Sequence, residues 1–303
     1  MNSPLSAGTR FWIIFAQVFG TVFMVVGLIS YCAYLEDFKN YLTGPNGADV
    51  VNSPAAIAEA SFICAILVYF TWKSIWSAVV IIRAVNKMDD LTLSANKWMI
   101  SAVSLSAGGL FTPYLMTLFP NINIKSTIKP KVWLPRVFGI FMLVGAPLAM
   151  LTYGLMNKGN FGGTGTEGYT IALFVIAGFL TVLGVANVAT FYSKNANMKY
   201  DESGWMHFLA NTTLVIITLE LVVVMISAVL ELVAAVFQLI SRSGNNFFYI
   251  LLNLLNVVIY ALYVGLVWWV TWETMTGIWK DQVDFTTFKA ADDYQQNHAN
   301  PAM

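Results

Sequence analysis

The sequence predicts an all-α integral membrane protein: six transmembrane helices plus a seventh, Gly/Pro-interrupted helical element at residues 98–119 that either re-enters or spans. Three observations predict this class. Of 303 residues, 58% are hydrophobic and only 11% charged, against about 25% charged in a soluble domain. Six windows reach the roughly 20 apolar residues that cross about 30 Å of hydrocarbon. Trp and Tyr gather at the edges of these windows, from Trp12 to Trp279, where headgroups meet water.

The first window, residues 11–35, follows a single Arg10 and is too long for a signal-peptide core, so it is read as a retained span. The second, 55–82, carries Lys73, whose flexible stem is expected to snorkel toward the basic side past Trp72 and Trp76. Glu59, near the start of that helix, suits its dipole and needs no other role. The third and fourth windows, 133–156 and 169–192, open on Trp133 and Tyr169, and Asn187 in the fourth predicts an interhelical hydrogen bond. Gly20, Gly27, Gly178 and Gly184 permit close helix contacts but miss the four-residue spacing of the small-residue dimer motif. The last two windows, 207–240 and 247–280, are joined by only Ser-Arg-Ser-Gly-Asn-Asn, which predicts an antiparallel hairpin. Residues 1–280 thus form a single polytopic domain, and 281–303 a polar tail that is expected to be mobile.

The seventh element turns on Gly108 and Gly109, which supply the backbone angles of a tight reversal, and on Pro113, which suits the first turn of a second half-helix. Two pieces of ten residues are about 15 Å each, half a bilayer. If the element dips and returns, Lys and Arg in the connecting segments gather on one side with both termini, which are then cytoplasmic, and leave only Lys39, Lys158 and Arg242 opposite. If it spans as one kinked helix, the basic residues divide almost evenly; glycine and proline are common in membrane helices, so this alternative stands.

Thr213, Glu220, Ser227, Glu231 and Gln238 fall within about 20° of one line on the fifth window's helix. The sixth carries a wider stripe of Asn246, Tyr249, Asn253, Asn256, Tyr260 and Tyr263. In a tight hairpin, residues at one depth have numbers summing to about 487, which sets Gln238 beside Tyr249, Glu231 beside Asn256 and Ser227 beside Tyr260. Glu231 then lies about 15 Å below the connecting loop, near the midplane. A carboxylate there must be protonated, paired or hydrated. Glu231, Asn253, Asn256, Glu220, Ser227 and Tyr260 are therefore the candidate ion- or substrate-binding residues, with Gly108, Gly109 and Pro113 as a candidate pathway. Glu220, level with Val267 and Trp268, needs another partner or water. Alternatively the seam is glue, at about 0.6 kcal/mol per hydrogen bond.

Other classes find little support. Sixteen basic and sixteen acidic residues cancel, so there is no field to attract nucleic acid. Gly-Thr-Gly-Thr-Glu-Gly at 163–168 matches G-x-G-x-x-G, but it opens a membrane helix and follows no strand. Two histidines, His207 and His298, and two cysteines in apolar windows, Cys32 and Cys64, read as buried thiols, assemble neither a metal site nor a nucleophile–base pair. No enzyme activity, cofactor or metal is expected; the expected partners are the lipid bilayer and other membrane subunits or further copies of the chain. Two functions follow: a transporter or channel-like subunit with a midplane cation or proton site, or a non-transporting scaffold or assembly subunit whose seam only sets helix packing.

Overall fold

The computed structural model describes residues 4–42, 54–105, 109, 111–119, 128–157, 167–193, 195–241 and 247–279. Gly108, the 163–166 part of the glycine-rich loop, Asn246 and the tail 281–303 lie outside these, as does the Tyr249 side chain. Ten helices and no strand occur among the described residues: α1 Pro4–Leu42, α2 Pro54–Lys87, α3 Asp90–Ala95, α4 Lys97–Leu105, α5 Phe111–Thr117, α6 Pro130–Asn157, α7 Glu167–Phe191, α8 Ala196–Tyr200, α9 Gly204–Ser241 and α10 Phe247–Trp279. Six of them, α1, α2, α6, α7, α9 and α10, are long and apolar enough to cross a membrane, which fits a multi-pass membrane protein.

The chain divides into two compact units. One comprises residues 14–84 and 131–213. In it α1 and α2 run antiparallel, with Thr21 against Ser74 and the Tyr31 hydroxyl reaching the Ala60 carbonyl. On α6, the most buried of the long helices, Tyr153 is 0% exposed, packs with Ala65, Ala149 and Leu173, and shares a 2.8 Å hydrogen bond with Thr170 of α7. The α6 and α7 backbones approach at two glycines. A Cβ at Gly184 would lie 2.6 Å from the Leu143 amide nitrogen, and one at Gly139 would lie 3.0 Å from Asn187 Cβ. Gly20, Gly27 and Gly178 face open space, so of the four glycines marked in the sequence only Gly184 makes such a contact.

Lys73 corrects a sequence expectation. It does not snorkel: it is 0% exposed, its ammonium 5.2–6.0 Å from the ring centres of Tyr69, Phe70, Phe138 and Phe141. Rings from α6 enclose it from the side, and their negative faces stabilise the cation where water is excluded. Cys32 differs from expectation too, being exposed while Cys64 is buried.

The other unit comprises residues 1–13, 85–130 and 214–303. Arg10 at the start of α1 fastens to the end of α2, donating to the carbonyls of Val85 and Met88 and to Asp90 Oδ1, the last at 2.8 Å. The Val85 carbonyl lies in the last turn of α2, where no intrahelical donor remains for it, and that of Met88 just past the helix end. Asp89 then caps α3 through the Thr92 amide, and α4 follows one residue after α3 ends.

Candidate functional site

In this unit, the 98–119 element is two short helices rather than one. At nine and seven residues, α4 and α5 are about 13 and 10 Å long, each far short of a bilayer, and they pack on each other. At the tip, the Gly109 amide donates to the Ser104 carbonyl and the Ser104 hydroxyl to the Gly109 carbonyl, both at 3.0 Å. At the base, Lys97 Nζ donates to the Phe119 carbonyl at 2.9 Å, which brings the two ends of the element together. Pro113 sits in the first turn of α5, where its missing N–H costs nothing, and is buried.

Lys97 is 4% exposed, and burial pushes its ammonium below the ordinary lysine value, with the Glu273 charge acting in the opposite sense. Glu273 belongs to α10, on which α4 packs. A Cβ at Gly277 would lie 2.4 Å from Trp98 Cγ, so only glycine admits the indole at that level. Because α10 ends two residues later, a parallel α4 would run off its end; packing along α10 requires the two to be antiparallel. Ser101, Ser104, Thr112, Thr271 and Thr274 are all 0% exposed here, and among the described residues the hydroxyls of Ser101 and Thr271 find no hydrogen-bond partner. Buried hydroxyls left this way suit a small polar guest or water.

The stripe on α9 does not point one way throughout. At its start, in the other unit, Thr213 is buried and accepts a 2.8 Å hydrogen bond from Asn187 of α7, the interhelical bond the sequence predicted for Asn187. Further along, Glu220 is half-buried, while Ser227, Glu231 and Gln238 are exposed. Asn253, Asn256 and Tyr260 on α10 are half-buried, and among the described residues they form no hydrogen bond with Glu231. Ser227 instead donates to the Val224 carbonyl of its own helix.

α9 and α10 meet at Thr218 and Trp279, whose indole N–H donates to the threonine hydroxyl at 2.9 Å, and Glu231 lies close enough to Tyr263 for electrostatic interaction. Both pairs sum to more than 487. Side chains on a helix lean toward its N-terminus, so across an antiparallel pair they lean toward each other in depth, and contacting residues lie further along each helix than residues whose Cα atoms are level. Tyr263, which feels the Glu231 charge, accordingly lies two turns beyond Asn256, and no hydrogen bond joins it to Glu231 among the described residues.

Three residues escaped sequence reasoning. Lys97 and Arg10 act on backbone carbonyls, which carry no signature in the sequence, and Gly277 lies outside any small-residue spacing. The buried serines and threonines of α4 and α10 do show a pattern that would have drawn notice: Ser101 and Ser104 share a face three residues apart, as do Thr271 and Thr274. Set against protein-family models, curated proteins and solved structures, the chain matches none.

Proposed function

We propose that the chain is a multi-pass subunit of a larger membrane assembly, and that the exposed stripe of α9 is the face on which another membrane protein docks. The observation that carries this is the placement of Glu231: exposed, ten residues or about 15 Å from the end of α9, with no cation within ion-pairing distance among the described residues. An acid facing lipid at such depth costs about 2.5–3.5 kcal/mol on insertion scales, a cost removed when protein covers it. Before the stretch on which α4 packs, α10 too is largely uncovered: 6% of its apolar window is buried, and Trp268, Trp269 and Trp272 stand exposed beside Gly265. The test is Glu231→Gln. Under this reading the variant folds and complexes formed in a native membrane lose the subunit, while vesicles holding the purified chain show no ion flux either before or after substitution.

A second reading, a transporter or channel-like subunit, is favoured by a different observation: the α4–α5 element, closed at both ends and lined by buried hydroxyls. Here the element is re-entrant, both termini are cytoplasmic, and Glu231 serves as a midplane cation or proton site. Broken helices accompany such sites because they free backbone groups for ions. A cation or proton flux in vesicles that Glu231→Gln abolishes, with the fold intact, would establish this reading over the first.

A further inference from the structure

The stripe on α9 has a period that its sequence angle alone conceals. Glu220, Val224, Ser227, Glu231, Ala234, Gln238 and Ser241 follow one another at alternating spacings of four and three. That is a heptad seam, which presents a straight row of contacts to a second helix crossing at about +20°. From Ser227 onward every member is exposed, and none is a large apolar side chain. Small residues at Ser227, Ala234 and Ser241 alternate with the longer polar Glu231 and Gln238, so that a neighbouring helix is admitted closely on either side of the carboxylate. A helix face evolved only for lipid has no use for this alternation, since lipid tails reward apolar bulk.

Charge decides the occupant. Among the described residues no basic group pairs with Glu231. Among the described residues of its six long helices, a second copy of this chain has none to offer at that depth either. On the six long helices, Arg10, Lys39, Arg83, Lys87, Lys131 and Arg136 all lie within two turns of a helix end, and the one basic residue nearer a middle, Lys73, is 0% exposed in its ring of aromatics. A lipid headgroup stays at the surface, about 15 Å away. Resting on the docking reading above, we infer that the Ser227–Ser241 part of the seam receives a transmembrane helix of a different protein, one that carries a Lys or Arg at the depth of Glu231 between small residues.

The ion pair sets both the choice and the register of the partner, because a carboxylate buried at a lipid-facing interface rejects any helix that leaves it unpaired. Flanking small residues let the two backbones close until the charges meet.

The experiment uses the full chain in lipid nanodiscs and two synthetic transmembrane peptides of the same Leu/Ala host, one with a single central Lys and one with Leu in its place, association being read by energy transfer. The Lys host is expected to bind at least about tenfold more tightly, about 1.4 kcal/mol. That preference disappears in Glu231→Gln, and in Glu231→Lys it passes to a host with central Asp. Equal binding of the Lys and Leu hosts overturns the cationic partner while leaving the docking face in place. Binding of neither host overturns both. Self-association of the chain that Glu231→Gln abolishes also overturns the inference, by making the occupant a second copy that shares a proton.

Discussion

Replacing Lys97 by Met keeps most of the stem and removes the donor that joins α4 to α5. The lost bond, from a charged group to a carbonyl, is of the kind that contributes about 1.5–3 kcal/mol, and Phe119, 6% exposed, offers its carbonyl little water in compensation. Against this, methionine spares the cost of burying an ammonium, a cost that shows in the lowered pKa of Lys97. The net expectation is about 1–2 kcal/mol, or roughly a 5–30-fold rise in the opened population. Amide hydrogen exchange in nanodiscs reads it directly: protection of residues 111–119 falls by that factor while α6 and α7 are unchanged. The wild-type pH dependence has a definite sign. In the opened state the lysine regains its ordinary value of about 10.4 and binds more protons than in the closed state, so closure strengthens as pH rises from below the lowered value toward 10.4. After correction for intrinsic exchange, residues 111–119 should be progressively better protected over that window in wild type and show no trend in Lys97→Met. Equal protection in the two proteins, or a loss spread over every helix, would refute the reasoning.

Gly277→Ala places a methyl 2.4 Å from Trp98 Cγ, at the root of a side chain that cannot swing away, and should cost about 1–3 kcal/mol with exchange rising first in α4. Gly184→Val drives α7 off the Leu143 backbone and should lower thermal stability by a similar amount or more, whereas Gly178→Val, with nothing within 4 Å, should leave it unchanged; equal effects from the two would show that the close approach is not made. Because Cys32 is exposed and Cys64 buried, a membrane-permeant alkylating reagent should modify Cys32 in the folded protein and Cys64 only after unfolding, read by peptide mass; equal labelling of the two in the folded protein would show that Cys64 is not enclosed.

Much of this architecture was legible because hydrocarbon is a severe solvent: apolar length alone marks the six long helices. The seventh element was half legible. Gly108, Gly109 and Pro113 marked a break, and α4 and α5 end within two residues of the breaks so drawn, yet whether the ends meet depended on Lys97 finding a carbonyl 22 residues away. Lys73 misled for a related reason. Snorkelling presumes an open route for the stem, and the route is closed by Phe138 and Phe141, whose relation to α2 no local pattern encodes. In the α9–α10 pair the direction was readable and the partners were not, since counting Cα levels ignores the lean of side chains as long as Glu231, Tyr263 and Trp279.

The polar groups within the long helices divide by the company they keep. Lys73 is enclosed by rings and the Asn187 amide donates to Thr213, so each faces a group of its own chain. Glu231 faces outward, and the sign of its contribution should therefore depend on whether the partner is present. In the isolated chain, Glu231→Leu replaces a costly lipid-facing acid with a favourable side chain, a difference of about 3 kcal/mol on insertion scales, and should raise yield and thermal stability in nanodiscs. In the assembled complex the same substitution strands the partner's cation and should weaken association by about 2–5 kcal/mol. Measuring both arms on one variant separates an interface residue from a core residue, which lowers stability in both. If Glu231→Leu destabilised the isolated chain as a core substitution does, the carboxylate would have a partner within this chain after all, and the outward-facing seam would lose its meaning.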